Sequence, residues 1–213
     1  MSSYVARIEI CRVTPDRLPD PIAVAVFMAE LLDRIGIQYV IGGSFASSVH
    51  GEPRSTNDVD IVTDLREDQA ASLIAGLRDE YYVDADAVRE ALAAGGSFNI
   101  IHTGTAVKID MFVAGEDALD RARLERRQVL RIPVAPGKEV AVYVDTPEDT
   151  IIRKLEWFRR GGESSERQWR DVVGVLRTQA GLLDDAYLRA WAERLAVLDL
   201  LERAVREAGR STQ

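Results

Sequence analysis

Two aspartates dominate the chemistry open to this chain. Asp58 and Asp60 lie in Asn57-Asp58-Val59-Asp60-Ile61-Val62-Thr63, whose alternation predicts a β-strand. Residues two apart on a strand share a face, so their Cα atoms would be about 6.5–7 Å apart. Two like charges held that close destabilise the strand unless a cation or a buried Arg neutralises them. Carboxylate oxygens select Mg2+ or Mn2+ over softer ions. A third acid, Asp110, stands alone in Val107-Lys108-Ile109-Asp110-Met111-Phe112-Val113. A lone carboxylate in so apolar a strand is buried at a cost or placed for use. Mg2+ held by a few carboxylates shares its remaining positions with water and phosphates. Gly42-Gly43-Ser44 supplies the complement: a turn leading into a helix, with N–H groups open to close approach by a phosphate and a hydroxyl beside them.

The elements that must position these residues follow from periodicity and punctuation. Residues 1–20 read as an extended arm, with a strand over 4–12. Residues 21–35 form a helix stopped by Gly36, and 38–41 a short strand entering Gly42-Gly43-Ser44. A short helix over 45–50 is stopped by Gly51. After the strand at 57–63 come helices over 65–79 and 85–94. Strands over 97–102 and 106–113 are joined by Thr103-Gly104-Thr105, and strands over 129–134 and 139–144 flank Ala135-Pro136-Gly137-Lys138. Thr146-Pro147-Glu148-Asp149 is a helix start with Thr as N-cap and Pro at N1. Everything beyond reads as helix, broken at Gly161-Gly162 and Gly181. The fold class is α+β: a small mixed sheet covered by helices, followed by a helical bundle. The expected organisation is an arm over 1–20, a sheet domain over 21–145 and a helical domain over 146–213.

Composition narrows the classes. The 213 residues carry 35 acidic and 27 basic side chains, a net charge of −8. Residues 151–213 hold 12 basic and 10 acidic groups, so the preceding 150 residues carry −10. A protein that coats DNA would normally be basic. One cysteine and two histidines provide neither a disulfide framework nor a zinc-ligand set. No stretch is long and apolar enough to span a bilayer, and no signal-peptide layout opens the chain, so a cytoplasmic protein is expected. Only three of the 27 basic residues are lysines: Lys108, Lys138 and Lys154.

Gly-Gly-Ser followed by Asp-x-Asp among β-branched residues resembles the nucleotidyltransferase superfamily with the DNA polymerase β-like palm. The fuller pattern of Gly-Gly-Ser-x-Ala, His-Gly and Arg-x-Thr-x-Asp-x-Asp is similar to AbiEii-like and related uncharacterised bacterial nucleotidyltransferases. The resemblance covers residues 22–175. It implies a palm fold and transfer of an NMP from an NTP to a hydroxyl acceptor: a tRNA end, a protein or a small molecule. It also implies Asp58, Asp60 and Asp110 as catalytic metal ligands for Mg2+ or Mn2+. Gly42, Gly43, Ser44, Arg54, Thr56 and Lys154 would lie on the nucleotide, ATP being one candidate, with Arg167 and Asp171 behind them. A toxin–antitoxin or defence role with a cognate partner protein is a further implication of the same likeness, and no membrane partner is expected.

Plainer roles stand beside these. Arg54 would serve equally to neutralise Asp58, and Lys154 to solvate a helix face. Arg167 and Asp171, four apart on a helix, would form a surface ion pair. His50 reads as a helix-end residue, and Trp157, Phe158 and Trp169 as packing within the helical part. Leu188, Trp191, Leu195, Leu198, Leu201 and Val205 follow a heptad-like spacing that suits a bundle core or a partner helix. A palm-like module that binds nucleotides or a partner protein without catalysis is the alternative function. The three intact carboxylates argue against it.

Overall fold

A computed structural model describes residues 20–77 and 79–209. The expected arm over 1–20, apart from Asp20, lies outside the described residues. The chain divides into two compact units. One unit comprises the described part of Met1–Gly42 together with Thr56–Val144; the other comprises Gly43–Ser55 and the described part of Asp145–Gln213.

The first unit is built on a seven-stranded mixed sheet in the order β3-β4-β5-β2-β1-β7-β6. The strands are β1 (Tyr39–Ile41), β2 (Asp58–Thr63), β3 (Tyr81–Val83), β4 (Ser97–His102), β5 (Val107–Val113), β6 (Gln128–Ala135) and β7 (Lys138–Val144). β2 runs parallel to β5 and antiparallel to β1, while β4 pairs antiparallel with both β5 and β3. The mixed sheet and the strands expected from residue 38 onward are present, while the strand expected over 4–12 lies outside the described residues. β3 was not anticipated, because three residues are too few to show a period. Between β6 and β7, Pro136-Gly137 makes the reversal, with Gly137 at φ 73°, a conformation glycine adopts without strain.

Burial alternates along the sheet. On one face, Val59, Ile61, Ile100, Ile109 and Met111 are fully buried. Helix α1 (Asp20–Arg34) covers this face; its Phe27 stacks on Tyr81 of β3 with ring centroids 4.6 Å apart. Gly36 ends α1 as expected, at φ 69°. On the other face, α5 (Ala118–Arg126) packs Leu124 against Val40 and Val62. Towards β4 and β3 that second face is open: Ser97, Asn99, Ile101 and Tyr82 are all exposed. Helices α3 (Glu67–Gly76) and α4 (Ala85–Ala94) complete the unit.

The second unit is helical: α2 (Gly43–His50), α6 (Pro147–Arg160), α7 (Glu166–Thr178), α8 (Asp185–Arg194) and α9 (Leu198–Glu207). The Thr146 N-cap forms as the sequence predicts, its hydroxyl accepting from the Asp149 backbone N–H at 3.1 Å. α2 packs against α6 and α7, so Gly43–Ser55 groups with the helices and not with the sheet, unlike the division expected from sequence. The cause is local: Phe45, Ala46, Ser47 and His50 are buried, and Gly51 permits close approach of α7. A Cβ at Gly51 would lie 2.9 Å from the Val175 backbone nitrogen.

Phe158 and Trp169 pack together, centroids 5.3 Å apart, whereas Trp157 is exposed beneath the Arg160 guanidinium. The heptad-like spacing does not correspond to one helix. Ala196 takes φ 55° between α8 and α9, so the count runs across a chain reversal; Leu188 and Leu201 are buried, while Trp191, Leu195, Leu198 and Val205 are only half-buried.

Candidate active site

Three carboxylates lie on one face of the sheet. β2 and β5 pair so that Asp60 is directly opposite Asp110 and Asp58 is opposite Lys108. Paired residues on neighbouring strands share a face, so Asp58, Asp60, Lys108 and Asp110 form one polar cluster, backed by the buried Val59, Ile61, Ile109 and Met111. The chain reaches this layout because the spacing of two is repeated on both strands with apolar residues between. The edge of the cluster is fixed by backbone: the Gly42 N–H donates to the Asp60 carbonyl at 2.9 Å. Thr56 lies at the strand entrance, its hydroxyl accepting from the Asp58 N–H at 3.3 Å.

Lys108 was not singled out as a site residue, although its rarity as a lysine and its position two before Asp110 were visible. Its ammonium donates to Asp110 Oδ2 at 2.8 Å. That hydrogen bond, with the charges of Asp58 and Asp60 beyond it, holds Lys108 above the ordinary lysine range despite partial desolvation. Among the described residues, the face carries three acids and one lysine. The carboxylate oxygens of this face are hard donors, the type that Mg2+ or Mn2+ takes. Among the described residues, no three His, Cys, Asp or Glu side chains are gathered into a group that holds a metal as they stand.

A second polar cluster lies within the helical unit. Asp171 of α7 accepts from Arg54 Nε and Nη2, both at 2.9 Å, and from Lys154 Nζ at 2.8 Å. The Ser47 hydroxyl donates to the same carboxylate at 3.3 Å, and Arg54 Nη2 also donates to the Ser44 hydroxyl. The Asp171 and Lys154 side chains are 6% and 9% exposed. Burial alone would raise the Asp171 pKa, but the Arg54 hydrogen bonds and the Lys154 charge override it and hold the carboxyl below its usual range. Thus Arg54 and Lys154 are ion-paired to Asp171. Lys154 is not on a solvated helix face, and Asp171 is paired with these two residues across the unit, whereas Arg167 is exposed. Ser47, buried at 2%, was missed; a serine inside a short helix carries no sequence signal.

His50 is buried, its Nε2 2.6 Å from the Asp145 carbonyl, and burial pushes its pKa down. It closes α2 ahead of Gly51, as a helix-end residue would.

The fold is that of the nucleotidyltransferase-like proteins among solved structures. An antigenic nucleotidyltransferase-like protein from Paracoccidioides brasiliensis is similar over 86% of this chain and 91% of its own, with a TM-score of 0.50 and 16% identity. The antibiotic-resistance factor ANT(2'')-Ia matches 87% of this chain and 99% of its own, with a TM-score of 0.48 and 12% identity. The Thermotoga maritima CCA-adding enzyme, solved with tRNA, matches 90% of this chain over 52% of its own length, with a TM-score of 0.40 and 11% identity. No protein-family model matches the sequence, and no curated protein matches it. Among the described residues, no helix is long and apolar enough to cross a membrane.

Proposed function

We propose that this protein is a metal-dependent nucleotidyltransferase that moves an NMP from an NTP to a hydroxyl acceptor. The observation that carries the reading is the parallel pairing of β2 and β5, which sets Asp110 opposite Asp60 on the face that also bears Asp58. Asp58 and Asp60 would hold one Mg2+ or Mn2+, and all three acids a second. When bound, such ions neutralise phosphate charge and lower the pKa of an acceptor hydroxyl. The chain's own contribution is to hold the carboxylates on one rigid face. Asp110 would take the acceptor proton as its oxygen forms the bond to the α-phosphorus and pyrophosphate leaves.

Gly42, Gly43 and Ser44 are the proposed phosphate donors, with Thr56 supporting the entrance to β2. Arg54 and Lys154 would supply positive charge, and Asp171 would fix their positions, holding the Arg54 fork against Ser44. Arg167, four residues before Asp171, is assigned to the same helix face. The acceptor would be a tRNA end, a protein hydroxyl or a small molecule. The −10 charge of the first 150 residues favours the latter two. The AbiEii-like pattern supports a place in a toxin–antitoxin or defence system with a cognate partner.

One observation favours a second reading. Asp110 is ion-paired to Lys108, as it would be in a module that binds nucleotides without transferring them. Incubation with each α-labelled NTP, Mg2+ and broad acceptor sets separates the two. Label should pass to an acceptor with the wild type and not with Asp58→Ala/Asp60→Ala. Equal, null signals from both would overturn the transferase reading. Release of orthophosphate in place of pyrophosphate would mark a phosphohydrolase.

A further inference from the structure

We propose that Ser47 is a positioning residue for the phosphates of the nucleotide: its hydroxyl sets the Asp171 carboxylate and, through it, the Arg54 guanidinium beside Ser44. The proposal deepens the transferase reading and rests on its assignment of Ser44 and Arg54 to the phosphates. Ser47 lies in α2 and is 2% exposed, so its hydroxyl is shut away from solvent. Two acceptors are in reach: the Ser44 carbonyl at 3.1 Å and Asp171 Oδ2 at 3.3 Å. Arg54 Nη2 donates to that same Oδ2 at 2.9 Å and also to the Ser44 hydroxyl. The contacts therefore close a ring. It runs from the Ser44 hydroxyl through Arg54, Asp171 and Ser47 back to the Ser44 carbonyl. A closed ring leaves the Ser44 hydroxyl and the Arg54 fork little freedom relative to the first turn of α2.

The ring depends on Ser47 in particular. Asp171 Oδ2 accepts from Arg54 Nη2, Lys154 Nζ and the Ser47 hydroxyl, and the serine is the neutral donor of the three. Arg54 and Lys154 reach the carboxylate on long stems with many rotamers. Ser47 reaches it through one rotatable bond from a helix, so it ties the carboxylate to α2 itself. The Arg54 main chain is held separately: the Ser48 hydroxyl donates to its carbonyl at 3.3 Å and accepts from its N–H at 3.4 Å. Loss of the Ser47 hydroxyl thus leaves the Arg54 backbone in place and loosens its guanidinium. Alanine at 47 removes one atom and nearly conserves volume, so α2 keeps its packing against α7.

The test is calorimetric titration of the full chain with a non-hydrolysable NTP and Mg2+, for wild type, Ser47→Ala, Arg54→Ala and Ser47→Ala/Arg54→Ala. Ser47→Ala should bind about fivefold more weakly, the size of one lost hydrogen bond, with a nearly unchanged melting temperature. In the Arg54→Ala background the same change should add little, because the guanidinium that Ser47 positions is gone. In transfer assays the loss should fall on KM for the NTP and leave kcat unchanged, as for contacts made alike in the ground and transition states. Wild-type affinity in Ser47→Ala would overturn the proposal, and with a lowered melting temperature it would make Ser47 a packing residue only. Equal weakening by Ser47→Ala in both backgrounds would overturn it too, as would wild-type affinity in Arg54→Ala. If wild type itself binds no NTP, the transferase reading falls and the proposal falls with it. If wild type binds and Ser47→Ala equals it, only the proposal falls.

Discussion

On the sheet, Asp58, Asp60, Lys108 and Asp110 share one face, and the basic member of the Lys108–Asp110 pair is 42% exposed. Among the helices, Asp171 is outnumbered by Arg54 and Lys154, and it is closed off with Ser47 behind it. Both clusters pair an aspartate with a lysine, yet the pair on the sheet is more exposed than the pair among the helices. The helical cluster is satisfied by its own side chains and pins the side chains it holds. In the sheet cluster the Lys108 ammonium is paired to Asp110 from a side chain that is 42% exposed, so that pair is held at the surface.

This contrast can be broken most forcefully on the sheet. Asp60→Asn should lower Mg2+-dependent NMP transfer by more than about 100-fold, because it removes a proposed ligand of the reacting phosphate's ion. Asp58→Asn should do likewise while shifting unfolding free energy by no more than about 0.5 kcal/mol, since Asp58 is exposed. Among the helices the balance should reverse. Asp171→Asn leaves the buried Lys154 and the half-buried Arg54 without their partner and should cost about 3 kcal/mol in chemical denaturation. Comparable stability loss from the two substitutions would erase the distinction.

The pH dependence sharpens the same point. The Asp171 carboxyl titrates lower in the fold than its ordinary 3.8. Its contribution to stability is therefore full above that value and is lost as pH falls through the depressed folded pKa. Wild type should lose stability steeply in that acid range, and Asp171→Asn should show a flatter profile. Gly51→Ala should cost about 2 kcal/mol, because its Cβ would meet the α7 backbone at 2.9 Å. A smaller effect is expected at His50, whose folded pKa lies below the ordinary 6.5. Its contribution is full above pH 6.5 and declines as pH falls from there, and His50→Gln should remove that slope in thermal melts.

Much of the sheet cluster was legible in the sequence. Alternation placed Asp58 and Asp60 on one face, and the isolation of Asp110 among apolar residues marked it. The sequence could not reveal which strands pair, so the register that sets Asp110 opposite Asp60 and Lys108 opposite Asp58 came only with the fold. The helical cluster was less legible. Arg54, Lys154 and Asp171 are separated by 100 and 17 positions, and local spacing suggested Arg167 as the Asp171 partner because helix periodicity reports only neighbours three or four apart. The heptad count across α8 and α9 failed for a related reason. Periodicity assumes an unbroken helix, and the reversal at Ala196 carries no glycine or proline to announce it.

The central claim is that the carboxylate face holds the divalent ion of a nucleotide-transfer site. A crystal structure with a non-hydrolysable NTP and Mg2+ tests it most directly. The account predicts an ion within about 2.0–2.2 Å of oxygens from Asp58 and Asp60, in contact with the triphosphate. An ordered triphosphate and ion elsewhere would contradict it.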